Sequence, residues 1–126
     1  MELINLIRAR NVFISHANDK VFAQIAYKMV KFIKASQDED AFYHTKIKDL
    51  IETYAERDSE GACVTDKKGN IKIDPQKIQE CKEAVDELEK MDVEAPQIKF
   101  TPTELAGLML SMSEMFALDE IINEGG

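Results

Sequence analysis

The sequence predicts a mainly α-helical fold with a minor β component: a long helix and two further helices, joined by a short β-hairpin and a short extended segment. Three observations support this fold class. Residues 20–56 lack Gly and Pro and repeat apolar positions every three or four residues, as amphipathic helices do. Residues 57–74 lose that spacing and contain two glycines. Two later segments begin with a capping residue followed by proline, which is typical of helix starts.

The chain of 126 residues is long enough for one modest core, so we expect a single helical domain over residues 1–126 with a β-hairpin inserted at about 57–74. Residues 3–16 fit a helix somewhat better than a strand, because Leu6, Ala9 and Phe13 are spaced by three and four. The choice between helix and strand stays open for this first segment.

The long helix is predicted over residues 20–56, and we favour one helix that bends near Ser36. Ser36 followed by Glu39 also matches a capping box, which would start a second helix there. At about 1.5 Å per residue the segment would be roughly 55 Å long, so it must protrude or be covered, for instance by a second subunit. The stripe along it consists of Ile25, Met29, Phe32, Ser36, Asp40, Tyr43, Ile47, Leu50 and Tyr54.

The segment ERDSEGACVTDKKGNIKID, residues 56–74, places acidic residues before a glycine twice, which suggests either a calcium loop or a hairpin. A calcium loop needs glycine at its sixth position and glutamate at its twelfth. Placing Gly61 sixth puts Lys67 twelfth, and placing Gly69 sixth puts Val64 first. Both registers lose a required ligand. A hairpin of ACVT and NIKI around DKKG fits better, with the acidic residues as turn formers.

The second amphipathic helix is predicted to start at Asp74 and Pro75 and to end near Met91. We expect its apolar face to be buried; that face consists of Ile78, Cys81, Val85 and Leu88. Residues 93–100 are expected to be extended, because Pro96 disfavours helix in the residue before it.

The last helix is predicted over residues 101–122, with Thr101 as its cap and Glu104 placed to bond back. Its apolar positions cover more than one face, so we expect burial on more than one side. At least one of Met112 and Phe116 should be fully buried, in the core or across an interface. The candidate interface residues are Leu110, Met112, Phe116 and Ile121, and the expected assembly is a homo-oligomer, most simply a twofold dimer.

The formal charge of −8 argues against general binding to nucleic acid or to anionic membranes, because both require clustered Lys and Arg. The first residues lack the apolar core of a signal peptide, and no apolar run approaches the roughly 18 residues of a membrane span. We therefore expect a cytoplasmic protein. Cys63 and Cys81 have no C-x-x-C spacing, so neither a disulfide framework nor a zinc site is indicated.

No pattern of residues indicates catalysis, so we expect no catalytic residue, no metal site and no cofactor. The sequence contains no G-x-S-x-G, no G-x-G-x-x-G and no G-x-x-x-x-G-K, which excludes the recognisable nucleophile and nucleotide motifs. His44 has Asp40 four residues before it, and His16 has Asp19 three residues after it. Two groups do not make a metal site, and nothing brings the two histidines together. The sequence thus predicts a protein that is not an enzyme.

Four segments resemble a known family: AYKMVKFIK at 26–34, IETYAERDSEG at 51–61, DxxGNIKI at 66–73 and LDEII at 118–122. They are similar to small uncharacterised proteins that tailed phages and prophages of Gram-positive bacteria encode. The chain departs from the family phrase at Thr53 and Ala55, where Lys and Gly are usual. The resemblance implies a phage or prophage origin and carries no activity, catalytic residue or cofactor.

Two classes of function therefore remain. The first is a non-enzymatic phage accessory protein that binds another phage or host protein, as an assembly component or as an inhibitor, in the host cytoplasm. The second is an enzyme or small-ligand-binding protein whose site is built from residues distant in sequence. A pocket with converging polar groups would favour the second class, and a grooved surface with an exposed helix face would favour the first.

Overall fold

The computed structural model describes residues 1–123, and within them the chain forms six α-helices. These are α1 (Leu3–Ser15), α2 (Ala23–Ala35), α3 (Gln37–Thr53), α4 (Ile78–Glu89), α5 (Pro102–Leu105) and α6 (Met112–Ala117). Short 3-10 turns precede α4 at Pro75–Lys77 and follow α6 at Asp119–Ile121. The β component of the described residues consists of isolated bridges. The predicted fold class, mainly α with a minor β part, is confirmed.

The described residues form two compact units. Unit 1 contains Met1–Asp40 and the residues from Asp92 onward, and unit 2 contains Ala41–Met91. Each unit is described separately below.

The core of unit 1 is built around α1, which confirms the helical alternative for the first segment. Six residues of α1 are buried, at spacings of one, two or three: Leu3, Leu6, Ile7, Ala9, Val12 and Phe13. The Phe13 ring contacts the rings of Phe32 and Phe100, with centroids 5.3 and 4.9 Å away. Contacts between aromatic rings stabilise the fold beyond the effect of removing the rings from water. Phe13 therefore joins α1, α2 and the extended segment near residue 100.

The segment predicted as one helix over residues 20–56, bent near Ser36, forms two helices instead, because α2 ends at Ala35 and α3 begins at Gln37. The interruption is Ser36, which is fully buried. Its hydroxyl lies 2.9 Å from the carbonyl oxygen of Phe32, four residues earlier, and such back-bonding bends helices. Ser36 thus marks the break that the capping-box alternative placed there, although its hydroxyl bonds back into α2.

Arg10, on α1, holds this break in place. Its guanidinium donates to the carbonyl oxygen of Ile33 and to the Ser36 hydroxyl at 3.1 Å, while its Nε lies 3.6 Å from a carboxylate oxygen of Asp40. The Arg10 side chain is only 11% exposed. A buried cation is stable only when it is paired in this way, so α1 fixes where α2 stops.

In unit 2 the predicted hairpin is present, but it is one of two in tandem. The loops at residues 59–61 and 67–69 have the same geometry, with Gly61 at φ 84° and Gly69 at φ 83°. The Oδ1 atoms of Asp58 and Asp66 each accept from two backbone N–H groups of their own turn, at 2.8–3.0 Å. These acidic residues therefore stabilise turns, as the hairpin interpretation expects.

The two hairpins close into a ring of backbone hydrogen bonds. Val64 N–H donates to Glu56, Lys72 N–H to Val64, and Glu56 N–H to Lys72, at 2.8–2.9 Å. Bridges at Arg57↔Cys63, Thr65↔Ile71 and Ala55↔Ile73 occupy equivalent positions. Because successive equivalents are eight residues apart, the segment is an octapeptide repeat with approximate threefold symmetry. The sequence signal for it was the eight-residue spacing of Asp58, Asp66 and Asp74.

The third repeat continues into α4 instead of turning back. The Asp74 carboxylate accepts from Gln76 N–H, as expected of a cap, and its backbone carbonyl accepts from Lys77 N–H. The Asp58 and Asp66 carbonyls accept in the same way from Gly61 and Gly69. The residue equivalent to Gly61 and Gly69 is Lys77, whose φ is −114°. A non-glycine residue rarely adopts positive φ. The chain therefore cannot reverse and enters the helix.

The prediction of one helix over residues 101–122 is wrong. Thr101 and Glu104 form the expected capping box, but α5 ends at Leu105. A second capping box, formed by Ser111 and Glu114, starts α6. Gly107 lies between them and costs a helix about 1 kcal/mol relative to Ala. The break allows Leu105, Leu108 and Leu118 all to enter the core.

Replacement of Arg10 by Met should lower the free energy of unfolding by about 2 to 4 kcal/mol, because it removes the cation beside Asp40 and a charged donor to the Ile33 carbonyl and the Ser36 hydroxyl. Chemical denaturation measures this change. The control is Arg8→Met, also on α1 but exposed, with an expected change within about 0.5 kcal/mol. Equal stability of the two variants would show that Arg10 is not the anchor.

Replacement of Gly69 by Val should destabilise unit 2 by about 1 kcal/mol or more, because a β-branched residue resists positive φ. A Cβ at this position would meet no atom within 4 Å, so the backbone conformation alone is tested. Gly69→Asn should cost less, since Asn tolerates the left-handed region. If Val and Asn have the same effect in thermal denaturation, the turn does not depend on positive φ.

Candidate functional site

The structure separates the four candidate interface residues into exposed and buried groups. Met112 and Phe116 are 77% and 74% exposed. Leu110 is partly buried against the core, and Ile121 is a core residue, 1% exposed. Neither Met112 nor Phe116 is therefore covered within the chain, and Ile121 stabilises unit 1 rather than facing a partner.

Met112 and Phe116 lie side by side in a shallow groove of about 200 Å³, which we call the α6 groove. It is lined by Pro102, Met112, Met115, Phe116, Asp119 and Ile122. Asp119 is the one charged residue among them. Large apolar side chains rimmed by polar residues are typical of protein-binding surfaces, and Met adapts its shape to different partners.

Local hydrogen bonds explain why α6 presents apolar residues to solvent. The Ser111 hydroxyl accepts from Glu114 N–H at 3.1 Å, and a Glu114 carboxylate oxygen accepts from Ser111 N–H at 2.9 Å. The capping box thus fixes the start of this short helix. Leu118, just after α6, is fully buried, so the helix is held to the core at its end while Met112 and Phe116 face outward.

His16 ties the end of α1 to α6. One ring nitrogen lies 2.6 Å from Asp19 and the other 2.6 Å from the second carboxylate oxygen of Glu114. Since carboxylates only accept hydrogen bonds, both contacts are satisfied when the imidazole is protonated. The hydrogen bond to Asp19, helped by Glu114, raises the pKa of His16 above its usual 6.5. Sequence spacing indicated Asp19 but gave no signal for Glu114.

A second concave surface of unit 1 lies between the start of α2 and α5. It has a volume of about 500 Å³ and includes Phe22, Ile25, Glu104 and Gly107 in its lining. The Glu104 carboxylate accepts from the Lys28 ammonium at 2.9 and 3.0 Å, and this contact lowers the pKa of Glu104. Lys28 also lies 4.7 Å from the centroid of the Phe100 ring. Glu104 and Lys28 are therefore already paired with each other.

The chain has two histidines and two cysteines, the residue types that most often serve catalysis or metal binding. His16 is in unit 1 and is held by two carboxylates, whereas His44 is an exposed residue of α3 in unit 2. Cys63 and Cys81 are both free thiols. Within residues 1–123, no group of three His, Cys, Asp or Glu side chains is arranged to hold a metal ion.

Comparison with known proteins gives no family for the chain. No protein-family model, no curated protein and no solved structure matches it. In the described part of the chain, every helix is too short or too polar to cross a membrane.

The His16 contacts predict a specific pH dependence. Because the pKa of His16 is raised in the folded state, its contribution to stability is fully present below about pH 6.5 and is lost as pH rises through the folded-state pKa. The free energy of unfolding should therefore fall as pH rises above about 6.5, and His16→Gln should flatten this slope. His44→Gln is the matched control and should retain it. An unchanged slope in His16→Gln would contradict the assignment.

Proposed function

We propose that this protein is a non-enzymatic phage or prophage accessory protein that acts by protein–protein binding through the α6 groove. The observation that carries the proposal is the exposure of Met112 and Phe116, each about three-quarters accessible, on a helix that its capping box fixes. Leaving two large apolar side chains in water is unfavourable unless a partner covers them. The phage origin rests on the sequence resemblance, and the proposed location is the host cytoplasm.

The first partner we propose is a second copy of the chain. A chain with a formal charge of −8 repels its copy, so self-association is favoured at a surface that carries few charges. The α6 groove meets this condition, since Asp119 is its one charged lining residue. In a twofold contact the same patch meets itself, so the Phe116 rings of both copies would pack beside Met112 and Met115.

Self-association is tested by light scattering at micromolar concentration. The wild-type protein should have twice the mass of the 14.3 kDa chain. The double variant Met112→Ser, Phe116→Ser should weaken dimerisation by at least about tenfold, because truncating large side chains at the centre of an interface is costly. Circular dichroism should show unchanged helix content, since both residues are exposed in the single chain.

Met109→Ser is the control, because Met109 is 89% exposed but does not line the α6 groove. It should dimerise like the wild-type protein. A wild-type mass of one chain would refute self-association and leave the groove for an unlike phage or host protein. Equal loss of dimer in Met109→Ser and in the double variant would place the contact outside the groove.

A further inference from the structure

Unit 2 contains a groove between α4 and the last segment of the tandem hairpins, which we call the α4 groove. Its volume is about 460 Å³, and it is lined by Lys72, Ile73, Ile78, Cys81, Lys82 and Val85. The four α4 residues recur at intervals of three, one and three, so they form one face of the helix. The floor of the groove is apolar, and two lysines are its charged residues.

This face was expected to be buried by the fold, and the structure covers it only in part. Cys81 is buried, but Ile78 is 43% exposed and Val85 is partly exposed. The hairpin segment contributes Ile73 and Lys72 to the groove, and the backbone of Lys72 belongs to the hydrogen-bonded ring. One apolar side chain from this segment is too little to fill a helix face of two turns. Apolar surface is therefore left open to a ligand.

The charge of the lining selects the kind of ligand. The chain has 24 acidic and 16 basic residues, yet both charged residues of the α4 groove are lysines. Lys72 Nζ lies 3.9 Å from Glu56 Oε2, and both side chains are substantially exposed, so this contact is weak. Lysine stems cover apolar surface while their ammonium groups stay in water. The groove thus combines an apolar floor with positive charge at its border.

We propose that the α4 groove binds a small amphipathic anion, with an alkyl or aromatic body on the apolar floor and a carboxylate or sulfonate beside Lys72 and Lys82. From Ile78 to Val85 the floor extends about 10 Å along the helix, which suits a medium-length alkyl chain or one aromatic group. The volume lies within the range of about 300–1,000 Å³ that is typical of small-molecule sites. This site is formed by residues of unit 2, whereas the α6 groove is formed by residues of unit 1.

The test compares three ligands with the same alkyl chain. Calorimetric titration of the full chain with decanoate, 1-decanol and decyltrimethylammonium should give the tightest binding for decanoate. The double variant Lys72→Gln, Lys82→Gln should weaken decanoate binding by at least about tenfold, because charged hydrogen bonds are lost, and leave decanol binding within about twofold. The control Lys67→Gln, Lys68→Gln makes the same charge change in a neighbouring exposed turn and should bind decanoate like the wild-type protein.

Cys81 reports where the ligand lies. In a Cys63→Ser background Cys81 is the remaining thiol, and decanoate should slow its alkylation by iodoacetamide, whereas decyltrimethylammonium should not. The proposal is overturned if decanoate does not bind, if the cationic ligand binds as tightly, if the Lys72 and Lys82 variant binds decanoate normally, or if Cys81 is not protected. None of these four measurements reports the oligomeric state. A negative result would therefore contradict the α4 groove proposal without contradicting the proposed dimer.

Discussion

Packing of Phe13 against Phe32 and Phe100 is the interaction on which the rest of unit 1 depends. The three rings come from α1, α2 and the extended segment at residue 100, and all three side chains are fully buried. The backbone of Phe100 is hydrogen-bonded to the segment that follows α6. Its N–H donates to the Ile121 carbonyl, and its carbonyl accepts from Asn123 N–H. One aromatic contact thus connects segments that are far apart in sequence, and burial of this kind dominates the stability of small domains.

Unit 2 is stabilised by a different principle, since hydrogen bonding within a repeat replaces a large core. Each octapeptide contains an aspartate that accepts hydrogen bonds in its turn and a residue that forms a β-bridge. Each also contributes one member of the ring formed by Glu56, Val64 and Lys72. The local geometry is repeated, so each turn is formed by contacts within five residues. The ring closes through pairing of residue 55 with residue 73, and this long-range step needs both earlier turns to be in place.

The two open grooves have the same physical origin. In each case local hydrogen bonds satisfy the start of a helix whose apolar face is covered only in part: the Ser111–Glu114 box caps α6, and the Asp74 cap begins the turn into α4. A helix whose ends are satisfied can leave part of its face unburied. The α6 groove then offers an almost uncharged apolar surface, and the α4 groove offers one bordered by lysines. This difference in charge leads to different proposed occupants.

The sequence by itself determined the features that depend on contacts within a few residues. It located the caps at Asp74 and Thr101 and the turn at Gly69, because capping and positive φ are properties of short segments. It also identified Met112 and Phe116 as neighbours on one helix face, since residues four apart are adjacent there. The sequence spacing favoured a helix over residues 3–16 for the same reason.

Only the tertiary structure decided whether the long segments break and which apolar residues are covered. The capping-box pattern at Ser36 left one helix or two open, and the break there is contacted by Arg10, which lies 26 residues earlier; the split between α5 and α6 places Leu108 and Leu118 in the core. Periodicity placed Ile121 and Phe116 alike among the candidate interface residues, yet one is in the core and the other is exposed. Apolar spacing records which residues avoid water, but the partner that covers each one is set by packing between distant segments.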